Sequence, residues 1–225
     1  MPGTSAPPDI EIIVEDIGGN GGGPPPWRGD GGGDDGGRNR RPDDQPPSPR
    51  RYFTAITLGL VSILMFFMAL AAAFLLRRSG GTDWVPIHLP GVLWFNTLIL
   101  IGSSLTLELA RKRLGDSNLA AFRKLWILTT SFGALFLIGQ FVAWRQLVVQ
   151  GVYVSSNPAS SFFYIFTGAH GIHLLGGVAA LLYVNLRKPG PKGISLPTVA
   201  EVTSYYWHFM DGLWVFLLAL LYLGK

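Results

Sequence analysis

From Tyr52 onward, long apolar runs alternate with short polar breaks, and each run is long enough to matter. Crossing the hydrocarbon of a bilayer takes about 20 residues of helix. The pattern predicts five spans, near residues 53–76, 90–110, 125–148, 162–186 and 199–223. A soluble helical bundle needs a polar face on each helix, and these segments have almost none. Before Tyr52 the pattern reverses. Runs such as Gly21-Gly22-Gly23-Pro24-Pro25-Pro26 and Pro46-Pro47-Ser48-Pro49 bury too little apolar surface to offset the entropy of ordering them. The expected fold is therefore all-α: a polytopic membrane protein with a disordered Gly/Pro-rich leader over 1–51 and a five-transmembrane-helix bundle over 52–225.

Composition sharpens the division. Only 14% of the 225 residues are charged, against about 25% in ordinary soluble domains. Residues 1–51 hold 6 basic and 9 acidic side chains, a net of −3, and the remainder holds 12 and 5, a net of +7. There is no Cys, which removes disulfides, iron–sulfur clusters and thiol catalysis. The Gly runs have no strand–loop–helix context and no Gly-Lys-Ser/Thr after them, so they read as linker and not as a phosphate cradle. The first 30 residues lack the basic start and apolar core of a secretory signal. Within the leader, residues 9–17 form a short acidic, β-branched segment (Asp9-Ile10-Glu11-Ile12-Ile13-Val14-Glu15-Asp16-Ile17) that either docks on a partner as a strand or linear motif or stays a free tail.

Basic residues orient the bundle. The breaks that share a side with the leader contain Arg50, Arg51, Arg111, Lys112, Arg113, Arg123, Lys124, Arg187, Lys188 and Lys192, whereas the opposite side holds Arg77, Arg78, Arg145 and Lys225. That excess predicts a cytoplasmic N-terminus and a C-terminus outside, and the leader with no visible import signal favours a bacterial cytoplasmic (inner) membrane.

Polar groups at membrane depth are costly, and each asks for a partner. The fifth span carries Glu201, Ser204, Tyr205, His208, Asp211 and Gly212 at helical spacing. The fourth places His170, His173 and Gly177 on one face; the second adds Asn96, Ser103, Ser104 and Glu108; the third adds Gln140. Three uses fit. Histidines 170, 173 and 208 with Asp211 or Glu201 suit a haem or metal. A relay through Glu201, His208 and Asp211 suits ion transport. Interhelical hydrogen bonding suits the whole set, with Gly168, Gly171, Gly176 and Gly177 allowing close helix approach. Spacing alone leaves all three open.

Word order is more specific. Thr167-Gly168-Ala169-His170-Gly171-Ile172-His173 resembles the Thr-Gly-x-His-Gly-x-His element of the haem–copper oxidase subunit III family, and Tyr206-Trp207-His208-Phe209-Met210-Asp211-Gly212-Leu213-Trp214 resembles its closing helix. Asn96 through Leu100 with Ser103-Ser104, and Gln140, are similar to the family in spans two and three. The resemblance covers 52–225 in a five-span form. It implies a non-redox core subunit of a proton-translocating terminal oxidase in aerobic respiration. Such a subunit packs beside subunit I, which holds the haems and a copper, and assembles with subunit II, which receives electrons. It holds phospholipid in a cleft between its first two helices and the rest, and supports sustained proton uptake. It has no catalytic, cofactor or metal residues of its own. Asn96, Gln140, His170, His173, Glu201, Tyr205, His208 and Asp211 become the candidate structural and lipid-cleft polar network, with His170, His173, Glu201, His208 and Asp211 expected to fix spans four and five together. A further respiratory complex or small subunit held through the leader, and no nucleic acid, completes the expected partners. The alternatives are the subunit III-like accessory protein of a nitric oxide reductase, and a small ion or metabolite transporter.

Two departures from the family pattern bear on mechanism. In Ser62-Ile63-Leu64-Met65-Phe66-Phe67, Ile63 stands where the family often has a buried Glu, and Gln140-Phe141-Val142-Ala143 lacks the acid of a Gln-x-x-Glu pattern. Ile63 avoids burying a costly carboxyl, so carbodiimide reagents are expected to leave the first span unlabelled.

Overall fold

The computed structural model describes residues 49–80, 84–85, 88–187 and 195–224, all within one compact unit, Pro42–Lys225. The expectations for residues 1–48, the docking segment at 9–17 included, lie outside the described residues. Five helices make up the unit: α1 (Pro49–Gly80), α2 (Val92–Gly115), α3 (Leu119–Val149), α4 (Pro158–Leu186) and α5 (Leu196–Leu223). Each is long and apolar enough to cross a membrane, and no strand occurs among the described residues. In hydrocarbon every backbone N–H and C=O needs an internal partner, so an apolar run of this length has little choice but helix.

The helices outrun the apolar runs, most clearly in α3, which starts at Leu119 and not near 125. Arg123 and Lys124 end the hydrophobic pattern without ending the helix, because both are good helix formers. The helix begins instead where Asn118 accepts a hydrogen bond from the Ala121 N–H (3.0 Å). Helix α4 opens on a capping box, in which the Asn157 side chain and the Ser160 hydroxyl each bond the other's backbone N–H. Helix α5 opens on Ser195 with a Pro in its first turn.

Helices α2 and α3 form an antiparallel hairpin closed at Ser117, which takes a left-handed φ of 58°. They stay in contact at Thr106–Thr129 (2.8 Å) and where Asn96 lies against Gly139. Helix α4 packs on α3 and α5, and α5 also touches α1 and α2. Among the described helices α1 meets only α4 and α5, with Phe67 beside His173 and Phe74 among Phe162, Phe166 and the connecting residue Trp84. Helices α1 and α2 therefore lie against different faces of α5 and do not pair. The expected division of the first two helices from the rest is absent among the described residues, because α2 spends its inner face on α3.

Lipid tails are as apolar as Leu, so helix association in a bilayer rests on close packing and hydrogen bonds. Trp207, fully buried, shows the packing: a Cβ on Gly133 would stand 2.5 Å from its ring, and one on Gly177 3.1 Å. Those two glycines, one on α3 and one on α4, make the slot the indole fills. Of the four glycines expected to permit close approach, only Gly177 does so; Gly168 and Gly171 face open space, and Gly176 meets only the Tyr206 hydroxyl at 3.7 Å.

Candidate functional site

The seam between α2 and α5 carries a ladder of polar pairs at membrane depth. The two helices run antiparallel, and paired side chains cross between them in step. Trp94 Nε1 donates to the Tyr222 hydroxyl (2.6 Å), Trp214 Nε1 to Thr97 Oγ1 (3.0 Å) and Trp207 Nε1 to Ser103 Oγ (3.0 Å). Beside the last rung, Ser104 Oγ and His208 Nδ1 are 2.6 Å apart. Trp207 and Trp214 are seven residues apart, two helical turns, so both indoles reach the same face.

Alongside this ladder lies a groove of about 410 Å³, bordered by Ser104, Leu105, Glu108, His208, Asp211 and Val215 among others. A second hollow, about 380 Å³, continues from Glu108 past Arg111 and Lys112 to Glu201 at the basic end of the bundle. Glu108 borders both. At this end Arg111 holds the Glu108 carboxylate at 3.1 Å and its guanidinium stands 5.9 Å from the Tyr205 ring. Asp211 is the deepest acid. It is only 9% exposed, both of its carboxyl oxygens are buried, and Ser104 is its polar neighbour.

The eight residues expected to form one network fall in three places. Glu201, His208 and Asp211 border the α2–α5 seam. His173 and Tyr205 face α1: the His173 ring lies against Phe67 (5.7 Å) with Nδ1 2.8 Å from the Ala169 carbonyl, and Tyr205 meets Phe53 edge-on (6.0 Å). Asn96, Gln140 and His170 lie buried in the interior. His170 sits between Trp214 (5.2 Å) and Phe136 (5.9 Å), and the side-chain nitrogens and oxygens of all three residues lack hydrogen-bond partners. The hydrogen bond that joins α4 to α5 is instead Tyr206 Oη to the His173 carbonyl (2.7 Å).

His170 and His173 are neighbours on α4, yet they address different helices, and His208 addresses a third. Three positions apart on a helix is a rotation of about 60°, enough to divide them between the α3/α5 interior and α1. Among the described residues no group of three or more His, Asp and Glu stands close enough to hold a metal ion. Thr97, Arg111, Trp207 and Trp214 were not singled out by spacing, because an apolar stripe hides the indole donor. The signal available was the seven-residue repeat of Trp on α5 opposite hydroxyls on α2.

With this geometry in place, the comparisons are consistent with one another. The profile of the family described as cytochrome c oxidase subunit III matches residues 52–224. The chain is 34% identical over 169 residues to the probable cytochrome c oxidase subunit 3 of Nocardia farcinica, covering 72% of this chain and 83% of that protein. It is 33% identical over 172 residues to cytochrome c oxidase subunit 3 of Thermostichus vulcanus, covering 73% and 83%. It is 35% identical over 167 residues to cytochrome c oxidase subunit 3 of Corynebacterium diphtheriae, covering 71% and 81%.

Proposed function

The chain belongs to the cytochrome c oxidase subunit III family, and from that premise we propose that it is the non-redox core subunit of a proton-translocating terminal oxidase. It is a subunit III of a haem–copper oxidase and a multi-pass membrane component of that enzyme complex. Beyond this, the chain packs beside subunit I and assembles with subunit II. It keeps phospholipid ordered at their boundary and preserves proton uptake during turnover. Haem and copper reside in those partners. The leader over 1–51 is cytoplasmic and free to hold an additional partner, and the bundle over 52–225 carries the subunit's work, with its C-terminus outside a bacterial cytoplasmic membrane.

One observation carries the non-catalytic role: the histidines in the family words are spent separately. His170 packs between aromatic rings, His173 sits beside its own helix carbonyl against α1, and His208 meets Ser104. These are the marks of groups that position helices. The absence of an acid at Ile63, half-buried against the core, further implies that proton uptake is supported without a carboxyl on α1.

The test is a gentle-detergent pull-down through a C-terminal tag, read by a reduced-minus-oxidised spectrum and peptide identification. Co-purifying haem, a polytopic partner rich in ligand histidines and a copper partner with two cysteines are the expected result. An intact chain that brings down no haem protein, and moves ions alone in liposomes, would overturn the reading in favour of a transporter.

A further inference from the structure

One layer of the bundle gathers polar groups that the helices themselves leave unmet. Cross-helix contacts fix the layer. Asn96 on α2 lies against Gly139 on α3, Thr97 meets Trp214 on α5 (3.0 Å), and the Trp214 ring stands 5.2 Å from that of His170 on α4. The antiparallel α3 and α4 touch at Trp144 and Thr167 (3.0 Å). One turn back along α3 and one turn on along α4 set Gln140 opposite Gly171. Asn96, Gln140 and His170 thus share a level. Gln140 is nine residues short of the end of α3 and His170 twelve from the start of α4, about 14 and 18 Å along helices of this rise. All three are enclosed, at 0–2% exposure, and both polar atoms of each side chain lack a hydrogen-bond partner among the described residues. Polar groups buried in this way are costly when unmet. Room lies beside them: Gly171 is buried, yet a Cβ built on it would meet nothing within 4 Å.

We propose that this layer is an internal water site, in which water seated against Gly171 bridges the Gln140 amide, the His170 ring and the Asn96 amide. The chemistry selects the ligand. Each amide offers donors and an acceptor, and a neutral imidazole offers one of each. Water alone among small ligands donates and accepts at once; a cation would meet only the acceptors and an anion only the donors. Thr97, Gly139, Gly171 and Trp214, which fix the layer, carry no charge to balance an ion. Internal waters make about three hydrogen bonds to groups otherwise unmet, which matches three side chains converging from three helices. The water supplies bonds between α2, α3 and α4 that these side chains do not make directly. The site belongs to the bundle itself and does not rest on the subunit III reading.

The full chain in lipid nanodiscs tests this by magnetisation transfer from solvent water to isotope-labelled His, Asn and Gln side chains, with His170→Phe assigning the His170 ring. Transfer to both the His170 ring and the Gln140 amide is expected. Gly171→Ala puts a methyl group, of about one water's volume, into the space and leaves every polar side chain in place; it should abolish both signals together. Gly168→Ala, on the same helix and also facing open space, should leave them unchanged. Gln140→Met keeps the bulk without the bonds and should weaken transfer to His170 several-fold. The His173 and His208 signals report folding, and if Gly171→Ala fails to fold, the wild type against Gln140→Met decides. No transfer in the wild type, transfer undiminished by Gly171→Ala or by Gln140→Met, or a direct Gln140–His170 hydrogen bond without water would overturn the proposal. None of these outcomes depends on retrieving an oxidase subunit, so failure of the water site leaves the subunit III assignment standing.

Discussion

Trp207 and Trp214 hold the α2–α5 seam in two separable ways, through the volume of a buried ring and through one N–H donated to a hydroxyl. Trp214→Phe removes the donor with only part of the ring volume, and Thr97 keeps its bond to the Leu93 carbonyl (2.9 Å). The expected loss is about 0.5–1.5 kcal/mol. Trp214→Ala empties the site and should cost about 3–5 kcal/mol. Denaturation of the purified chain in mild detergent separates the two, and an unchanged stability in Trp214→Phe would remove the hydrogen bond from the account. Gly133→Leu should destabilise by a margin nearer the Ala variant, because Trp207 has no room to yield between two helices. His208→Leu leaves Ser104 without its ring partner and should cost about 0.5–1.5 kcal/mol with weaker assembly. Unchanged complex yield and unchanged activity over many turnovers would refute that. The identity of these residues was visible in the sequence, and their partners were not. His170 and His173 sit on one stretch of helix, and only the placement of α1, α3 and α5 around α4 decides that one is interior and the other meets Phe67.

At the level of elements, α1 stands apart. It is the least buried of the five helices, and among the described helices it touches α4 and α5 alone. Its hold is aromatic: Phe67 against His173, and Phe74 against Trp84, Phe162 and Phe166. Local opening should be cheapest where fewest neighbours must be left. Amide hydrogen exchange in detergent should therefore proceed faster along α1 than along α3, and Phe74→Ala should accelerate α1 without altering α3. Uniform acceleration across all five helices would show that α1 is not an independent unit. The five spans were legible because run length and lack of charge identify them. The helix ends were less so, since Arg123 and Lys124 interrupt the apolar run while the backbone continues as helix back to the Asn118 cap. That α1 and α2 do not pair was not legible at all. The apolar faces of both helices suit any neighbour, and chain order does not choose one.

For the whole molecule, the orientation inferred from basic residues has a clean test, because the chain contains no Cys. Asp116→Cys lies in the α2–α3 connection and Ser155→Cys in the α3–α4 connection, both exposed. A membrane-impermeant maleimide on intact cells should label Ser155→Cys at once and Asp116→Cys only after lysis. The reverse pattern would invert the topology. Sequence by itself determined that the chain is a five-span helical membrane protein, which side of the bundle is basic, and which family words it carries. Those properties depend on run length, charge count and local order, and a bilayer forces any long apolar run to satisfy its backbone within a helix. Only the tertiary structure decided which helix each polar group addresses, that α4 and α5, and not α1 or α2, each touch three other helices, and that Asp211 is buried beside Ser104. Those depend on how each helix is rotated about its axis and on which small residues admit a neighbour, as Gly133 and Gly177 admit Trp207. Rotation and neighbour choice are set by shape across the bundle, where hydrophobicity along the chain no longer discriminates.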